Sequence, residues 1–201
     1  MLNLPNALTL LRFVLAPLIA WLLLQRRDEL AVALFAISAL SDFVDGWIAR
    51  RWNQRTRFGA VADPLADKLT GLLVVAVLTL QGTLPWWFAA AVVARDVAIV
   101  GGALAFHLRF GHVEMAPSRI SKANTAALFV LLVGVLAVRA GLLPDGAWLQ
   151  ALLFATLATT AASGVQYVLE WAGRARQAGA RRRAGRPAGG PPSAPPRLDA
   201  R

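Results

Sequence analysis

The sequence predicts an all-α integral membrane protein with six transmembrane helices and both termini in the cytoplasm. Hydrophobic residues make up 57% of the 201 residues, and the mean hydropathy is +0.55, which exceeds what is usual for a soluble domain. Six apolar runs are each of roughly the 17 to 25 residues that a helix needs to cross a bilayer. Basic residues are concentrated in alternate connections between these runs.

The six runs occupy most of the first 170 residues, at about 7–25, 30–49, 65–81, 85–106, 122–142 and 147–169. No basic segment precedes the first run and no small-residue cleavage site follows it, so we expect it to remain as a helix rather than to be removed as a signal peptide. The chain has no cysteine, which excludes disulfides and thiolate metal sites.

The charges of the connections predict the orientation. The loop at 50–57 has four arginines, and the loop at 107–122 has two arginines and a lysine against one glutamate. The loop at 81–85 has no charge, and the connection at 26–29 has two arginines offset by two acids. Because cytoplasmic loops are enriched in Lys and Arg, the second and fourth loops are predicted to be cytoplasmic. The Ala- and Arg-rich composition favours a bacterial source, and therefore the bacterial inner membrane.

The C-terminal segment 172–201 differs from the membrane domain at 1–171. It holds eight arginines and one acid, so seven of the ten net positive charges lie there. Its Gly, Pro and Arg content cannot form a core, so we expect it to be disordered. It either attracts anionic lipid headgroups or only sets the topology.

Four aspartates lie close to the basic loop at 50–57: Asp42, Asp45, Asp63 and Asp67. One aspartate at the bilayer centre costs about 2.5 to 3.5 kcal/mol, so four of them require compensation. The first two are three residues apart and the last two are four apart, so each pair shares a helix face. The short loop predicts that the second and third helices are antiparallel neighbours, which brings the two pairs together.

Three interpretations of this cluster are open. The acids could pair with cations such as Arg50, Lys68 and Arg95 in structural salt bridges. They could instead bind hard divalent cations such as Mg²⁺ or Mn²⁺, which prefer oxygen ligands; zinc is disfavoured because the chain has no cysteine and only two histidines, both in one loop. A divalent-cation transporter would also use intramembrane acids, but it would need them across the membrane, and the outer halves of the runs lack them.

The spacing of these residues resembles a known family. The pattern Asp42-x-x-Asp45-Gly46-x-x-Ala49-Arg50, eight residues, Gly59-x-x-x-Asp63-x-x-x-Asp67 is similar to the signature of the CDP-alcohol phosphotransferases, over all six helices and excluding the tail. The opening "NLPNALTLLRFVLAP" resembles the branch that makes phosphatidylglycerophosphate and cardiolipin. Members are six-helix membrane enzymes, and the resemblance also suggests a homodimer and no nucleic-acid partner.

The resemblance implies a role for each matching residue. The four aspartates would bind two divalent cations, Mg²⁺ or Mn²⁺, and Asp67 would also be the general base. The residues implied around the CDP-alcohol are Asn6, Thr9, Gly46, Ala49, Arg50, Thr56 and Gly59. Simpler interpretations remain for two of them, since Asn6 could cap the first helix and Gly59 could be a turn glycine.

The acceptor is predicted from the fourth and fifth helices. Arg95, Arg119 and Lys122 are cations near the predicted metal-bound phosphate, and intramembrane cations commonly bind anions; Arg95 and Asp96 could instead only pair with each other. A phosphate-bearing acceptor means glycerol 3-phosphate or phosphatidylglycerol. The segments "ARD", "SKANT" and "TTAAS" resemble eukaryotic-type cardiolipin synthases. The expected reaction is therefore transfer of a phosphatidyl group from CDP-diacylglycerol to phosphatidylglycerol, with glycerol 3-phosphate as the alternative acceptor. Neither histidine has the HxK partner of the phospholipase D-type enzymes.

Overall fold

The structure is a computed structural model that describes the backbone of residues 4–52, 57–110 and 118–183. Side chains are described in 10–41, 65–105 and 118–174 and at 108 and 176. This part of the chain is all helical, as predicted. Its six helices are α1 (Leu4–Leu24), α2 (Asp28–Trp52), α3 (Arg57–Leu80), α4 (Trp86–Phe110), α5 (Arg119–Arg139) and α6 (Ala147–Arg183).

Three segments of the described helices are long and apolar enough to cross a membrane: Trp86–Ala105, Arg119–Arg139 and Ala147–Arg174. The apolar part of α1, Leu10–Leu24, is shorter. The helix count agrees with the sequence prediction, while the crossing of the membrane by all six helices remains a prediction.

The apolar core occupies one half of the bundle. Helix α1 packs against α2 and α3, α6 packs against α4 and α5, and α5 also contacts α2. The largest fully buried side chains include Ile19, Leu78, Phe88 and Leu131, which all lie toward the ends of their helices that face the first, third and fifth connections. The half near the basic loop is the more polar half, and this asymmetry places the candidate site.

The first, third and fifth connections meet at one end of the bundle. Arg139 donates from Nη2 to Asp28 Oδ2 at 3.1 Å, with an ion-pair distance of 2.8 Å to Oδ1, and from Nη1 to Thr83 Oγ1 at 3.0 Å. Gln81 donates from Nε2 to the Leu23 carbonyl at 2.7 Å and accepts from Arg139. The acids of the "RRDE" connection therefore have a structural use, since Asp28 neutralises an arginine from α5. The three connections thus lie at the same end of the bundle, while the membrane orientation that the loop charges predict stays a prediction.

Helix α6 corrects one prediction. We expected disorder from residue 172, but the helix continues to Arg183. The segment after Trp171 is rich in Ala and Arg, which have high helix propensity, and Arg174 lies over the Trp171 ring at 5.8 Å. The low apolar content of this segment predicted the absence of a core and not the absence of a helix. Residues 184–201 lie outside the described part of the chain.

Candidate active site

A cavity of about 600 Å³ lies between α2, α3 and α5. Its polar lining residues are Ser38, Asp67, Thr70, Lys122 and Thr125, and the rest of its lining is apolar. The apolar lining residues are Phe35, Ala39, Gly71, Ala126, Leu128, Phe129 and Leu132. The cavity thus presents one carboxylate and one ammonium group beside a mainly hydrocarbon surface.

Two aromatic rings stack in the apolar wall. The ring centroids of Phe35 and Phe129 are 5.3 Å apart, with an interplanar angle of 18°. Phe35 belongs to α2 and Phe129 to α5, so the stack joins the two helices that close this side of the cavity. Such pairs add about 0.5 to 1.5 kcal/mol beyond area burial, which favours a wall of fixed shape.

Of the four aspartates predicted to bind metal, Asp67 is the one whose side chain lies among the described residues. It lies in α3, its side chain is 44% exposed, and its Oδ1 accepts from Arg12 Nη1 at 2.9 Å. Arg12 belongs to α1 and is buried. The sequence prediction missed this arginine, although a single cation within the apolar first helix was a signal that an acid from another helix would pair with it.

The three predicted acceptor cations separate in the structure. Lys122 lies on the cavity wall, one turn of α5 from Ser118, whose hydroxyl caps that helix by accepting from the Ser121 amide at 3.1 Å. Arg119 is exposed at the start of α5 and is not among the residues that line the cavity. Arg95 is buried and does not line the cavity either. Of the three, only Lys122 shares a cavity with Asp67.

Arg95 joins α5 and α6 to its own helix, α4. Its Nη1 donates to Asp96 at 2.6 Å, and its Nε and Nη2 donate to Ser163 Oγ of α6 at 3.2 and 3.1 Å. Nη2 also donates to Ser121 Oγ of α5. Asp96 in turn pairs with Lys68 of α3 at 3.3 Å. These contacts agree with the alternative in which Arg95 and Asp96 satisfy each other.

A second buried network lies next to the first. Asn124 Oδ1 accepts from the hydroxyls of Thr159 and Thr160 at 2.9 and 2.8 Å. The residues of "ARD", "SKANT" and "TTAAS" therefore meet between α4, α5 and α6 and satisfy one another. Unpaired polar groups in a membrane domain are costly. Helix packing alone is therefore enough to explain why a protein would carry all three segments.

Most of the other predicted site residues have a described backbone and no described side chain. Asn6 and Thr9 lie in α1, and Thr56 lies outside the described residues. The rest lie in α2 and α3: Asp42, Asp45, Gly46, Ala49, Arg50, Gly59 and Asp63. Both of these helices line the cavity. In the described part of the chain, however, α2 and α3 each pack against α1 and not against each other, so the predicted direct packing of the second helix on the third is not seen there, and the contacts of these residues remain predictions.

The metal prediction can be examined at one ligand. Among the side chains that the structure describes, no three His, Asp or Glu residues lie together; three of the four predicted ligands, Asp42, Asp45 and Asp63, lie outside that set. Asp67 fits a hard cation by chemistry, because it offers partly exposed carboxylate oxygens and a carboxylate has about four lone-pair sites.

The chain was compared with known proteins. A family model described as CDP-alcohol phosphatidyltransferase matches residues 2–166. The human cardiolipin synthase (CMP-forming) is 32% identical over 183 residues, covering 82% of this chain and 60% of the human protein. A probable cardiolipin synthase (CMP-forming) of Drosophila melanogaster is 34% identical over 186 residues, covering 83% of this chain and 57% of that protein.

A bacterial relative is also similar. The CDP-diacylglycerol–glycerol-3-phosphate 3-phosphatidyltransferase of Escherichia coli K12 is 36% identical over 141 residues, covering 67% of this chain and 76% of that protein. The chain spans about 60% of the length of the two animal relatives. The family match covers all six helices up to residue 166 and contains the four aspartates. This chain belongs to the CDP-alcohol phosphatidyltransferase family.

Proposed function

We propose that the protein transfers a phosphatidyl group from CDP-diacylglycerol to a hydroxyl of phosphatidylglycerol, giving cardiolipin and CMP. In this reaction the acceptor oxygen bonds to the phosphorus attached to diacylglycerol, and the bond from that phosphorus to the CMP oxygen breaks. The acceptor proton leaves to a base, and CMP departs with the bonding electron pair. Family membership supports the reaction class. The names of the animal relatives, which are cardiolipin synthases, support phosphatidylglycerol as the acceptor.

The cavity is the observation that carries the choice of a lipid acceptor. Asp67 and Lys122 lie on its wall together with Phe35, Phe129 and Leu132. Glycerol 3-phosphate has no acyl chain, so with that acceptor only the chains of the donor or of membrane lipid could cover this hydrocarbon surface. Phosphatidylglycerol would place a phosphate near the ammonium group and acyl chain along the apolar wall, and burial of apolar area stabilises by about 25 cal/mol per Å².

Asp67 is the general base of the proposed reaction. It is partly exposed and lines the cavity, so an acceptor hydroxyl can reach it. A positioned general base typically raises the reaction rate by about 10²- to 10⁴-fold. Lys122 would bind the acceptor phosphate as a point charge. Arg119 and Arg95 were predicted to assist; the buried contacts of Arg95 favour a supporting role, in which it holds Ser121 next to Lys122.

The remaining site residues would hold the donor. Two divalent cations, Mg²⁺ or Mn²⁺, would be held by Asp42, Asp45, Asp63 and Asp67, and when bound they supply positive charge to a pyrophosphate. Arg50 would add a bidentate fork for a phosphate. The residues proposed to surround the CDP group are Asn6, Thr9, Gly46, Ala49, Thr56 and Gly59.

We propose the cellular setting from the loop charges. All six helices would cross a bacterial inner membrane with both termini and the active site in the cytoplasm, and residues 184–201 would form a basic disordered tail. The family resemblance favours a homodimer. These proposals rest on the charge pattern and the resemblance, and on the meeting of the first, third and fifth connections at one end of the bundle.

Glycerol 3-phosphate is the second candidate acceptor. The observation that favours it is the 36% identity to the E. coli enzyme, of which the match covers 76%. The product would then be phosphatidylglycerophosphate with CMP. The cation-transporter hypothesis has no comparable support, because the family model and the E. coli relative are named as phosphatidyltransferases and the human relative as a cardiolipin synthase.

A single assay separates these candidates. Purified protein is given CDP-diacylglycerol, Mn²⁺ and either phosphatidylglycerol or glycerol 3-phosphate, and CMP release is followed. We expect CMP with phosphatidylglycerol. CMP release with glycerol 3-phosphate and not with phosphatidylglycerol would show that glycerol 3-phosphate is the acceptor. No CMP release with any polar acceptor would refute the enzyme proposal.

A further inference from the structure

Arg12 is a cation in an apolar helix, and the protein buries it completely. Its residue surface is 1% exposed, and it is the largest of the fully buried side chains that the structure describes. It lies on α1 between Leu11 and Phe13, eight residues into the helix. A buried guanidinium is costly unless it is paired and hydrogen-bonded, so the contacts of this arginine must offset the desolvation cost of its burial.

One partner of Arg12 is the carboxylate of Asp67, which lines the cavity. Nη1 of Arg12 donates to Oδ1 of Asp67 at 2.9 Å, and the two side chains are 2% and 44% exposed. The pair is therefore one-sided, with the cation inside the protein and the carboxylate open to the cavity. Exposure of the acid to solvent weakens the attraction, and it leaves carboxylate oxygen accessible from the cavity while Arg12 holds Oδ1.

The next residue of α3 is fixed from the other side. Lys68 pairs with Asp96 of α4 at 3.3 Å, while Asp67 pairs with Arg12 of α1. Two consecutive residues of α3 are thus tied to two different neighbouring helices. This limits rotation of α3 about its axis, and the rotation of α3 decides where the Asp67 carboxylate points.

We propose that Arg12 is a positioning residue for phosphatidyl transfer, because its guanidinium holds Oδ1 of Asp67 from behind and keeps the carboxylate turned toward the acceptor hydroxyl in the cavity. The inference rests on the proposed function, in which Asp67 is the base. Arg12 is not among the residues that line the cavity, so its effect would pass through Asp67. The planar guanidinium donates from Nη1 to Oδ1 in a fixed direction, whereas a lysine would supply charge without that direction.

The expected effect is on turnover rather than on donor binding. A misplacement of about 1 Å can cost roughly 100-fold in rate. Arg12→Gln should therefore lower kcat by about 100-fold and leave the KM for CDP-diacylglycerol within about threefold of the wild-type value. Arg12→Lys should restore part of kcat, to within about tenfold of wild type, because the charge returns without the fork.

Arg139→Gln is the matched control. Arg139 is another largely buried arginine paired with an aspartate, at 2.8 Å to Asp28, and it lies at the opposite end of the bundle from the cavity. Both glutamine variants lose an ion pair made by a largely buried arginine, so both should lower the thermal midpoint. Arg139→Gln should keep the wild-type kcat per folded molecule, whereas Arg12→Gln should not.

The experiment uses the full chain in detergent with CDP-diacylglycerol, Mn²⁺ and whichever of the two acceptors the wild type uses, and kcat is normalised to the folded fraction. Wild-type kcat in Arg12→Gln, or equal kcat losses in the Arg12 and Arg139 variants, would overturn the proposal. If Arg12→Gln does not fold, Arg12→Lys decides: a reduced kcat supports the proposal and a wild-type kcat overturns it. Absence of CMP from the wild type refutes the proposed function itself, and the role of Arg12 falls with it.

Discussion

Replacement of Lys122 by glutamine tests the proposed acceptor contact. Lys122 shares the cavity with Asp67 at the start of α5. Hydrogen bonds to charged groups contribute about 1.5 to 3 kcal/mol, and Lys122 is exposed, so solvent screening favours the lower part of that range. A loss of about 1.5 to 2 kcal/mol corresponds to about a 10- to 30-fold lower kcat/KM for the acceptor, since about 1.4 kcal/mol is tenfold.

Arg119→Gln is the matched control for this change. Arg119 is a cation three residues earlier on the same helix, exposed and not among the cavity-lining residues. The assay is CMP release at saturating CDP-diacylglycerol and Mn²⁺ with the acceptor varied. We expect the loss in Lys122→Gln and less than a threefold change in Arg119→Gln. Equal acceptor kinetics in the Lys122 variant and the wild type would refute the reasoning.

Three further changes test other parts of the account. Asp67→Asn should lower kcat by about 10²- to 10⁴-fold while binding of CDP-diacylglycerol, measured by calorimetry, persists; normal turnover would remove its role as base. Exhaustive chelation should stop CMP release, and added Mg²⁺ or Mn²⁺ should restore it; activity that survives chelation would contradict the metal assignment. Gly102→Ala should lower the free energy of unfolding by about 1 to 3 kcal/mol through overpacking, because the new Cβ would clash with Trp171 Nε1. Gly101→Ala is the control and should not lower it, because nothing lies within 4 Å of that Cβ. Equal melting curves for the two variants would contradict the packing.

The number and order of the helices could be predicted from the sequence, and their ends could not. Hydropathy marks the lipid-facing part of each helix, but helices continue into the polar interface wherever helix-forming residues follow. Helix α3 begins at Arg57, whereas the apolar run begins near residue 65. Helix α6 continues to Arg183 for the same reason.

The contacts of the site were the least predictable part. The spacing of the four aspartates identified the region, since fixed gaps on a helix can be read directly. The pairing of Arg12 with Asp67 joins residues 55 positions apart, and an almost entirely apolar α1 gives no signal of which face turns toward α3. Likewise, the sequence could not decide whether Arg95 binds a phosphate or the serines of α5 and α6, because both interpretations require a cation at that position.

The transferred phosphorus can be followed directly. CDP-diacylglycerol is labelled with radioactive phosphorus at the position attached to diacylglycerol, and the protein is supplied with Mn²⁺ and unlabelled phosphatidylglycerol. If the proposed reaction is right, the label appears in cardiolipin and the released CMP is unlabelled. Label in the nucleotide product, or a lipid product that does not require phosphatidylglycerol, would contradict it.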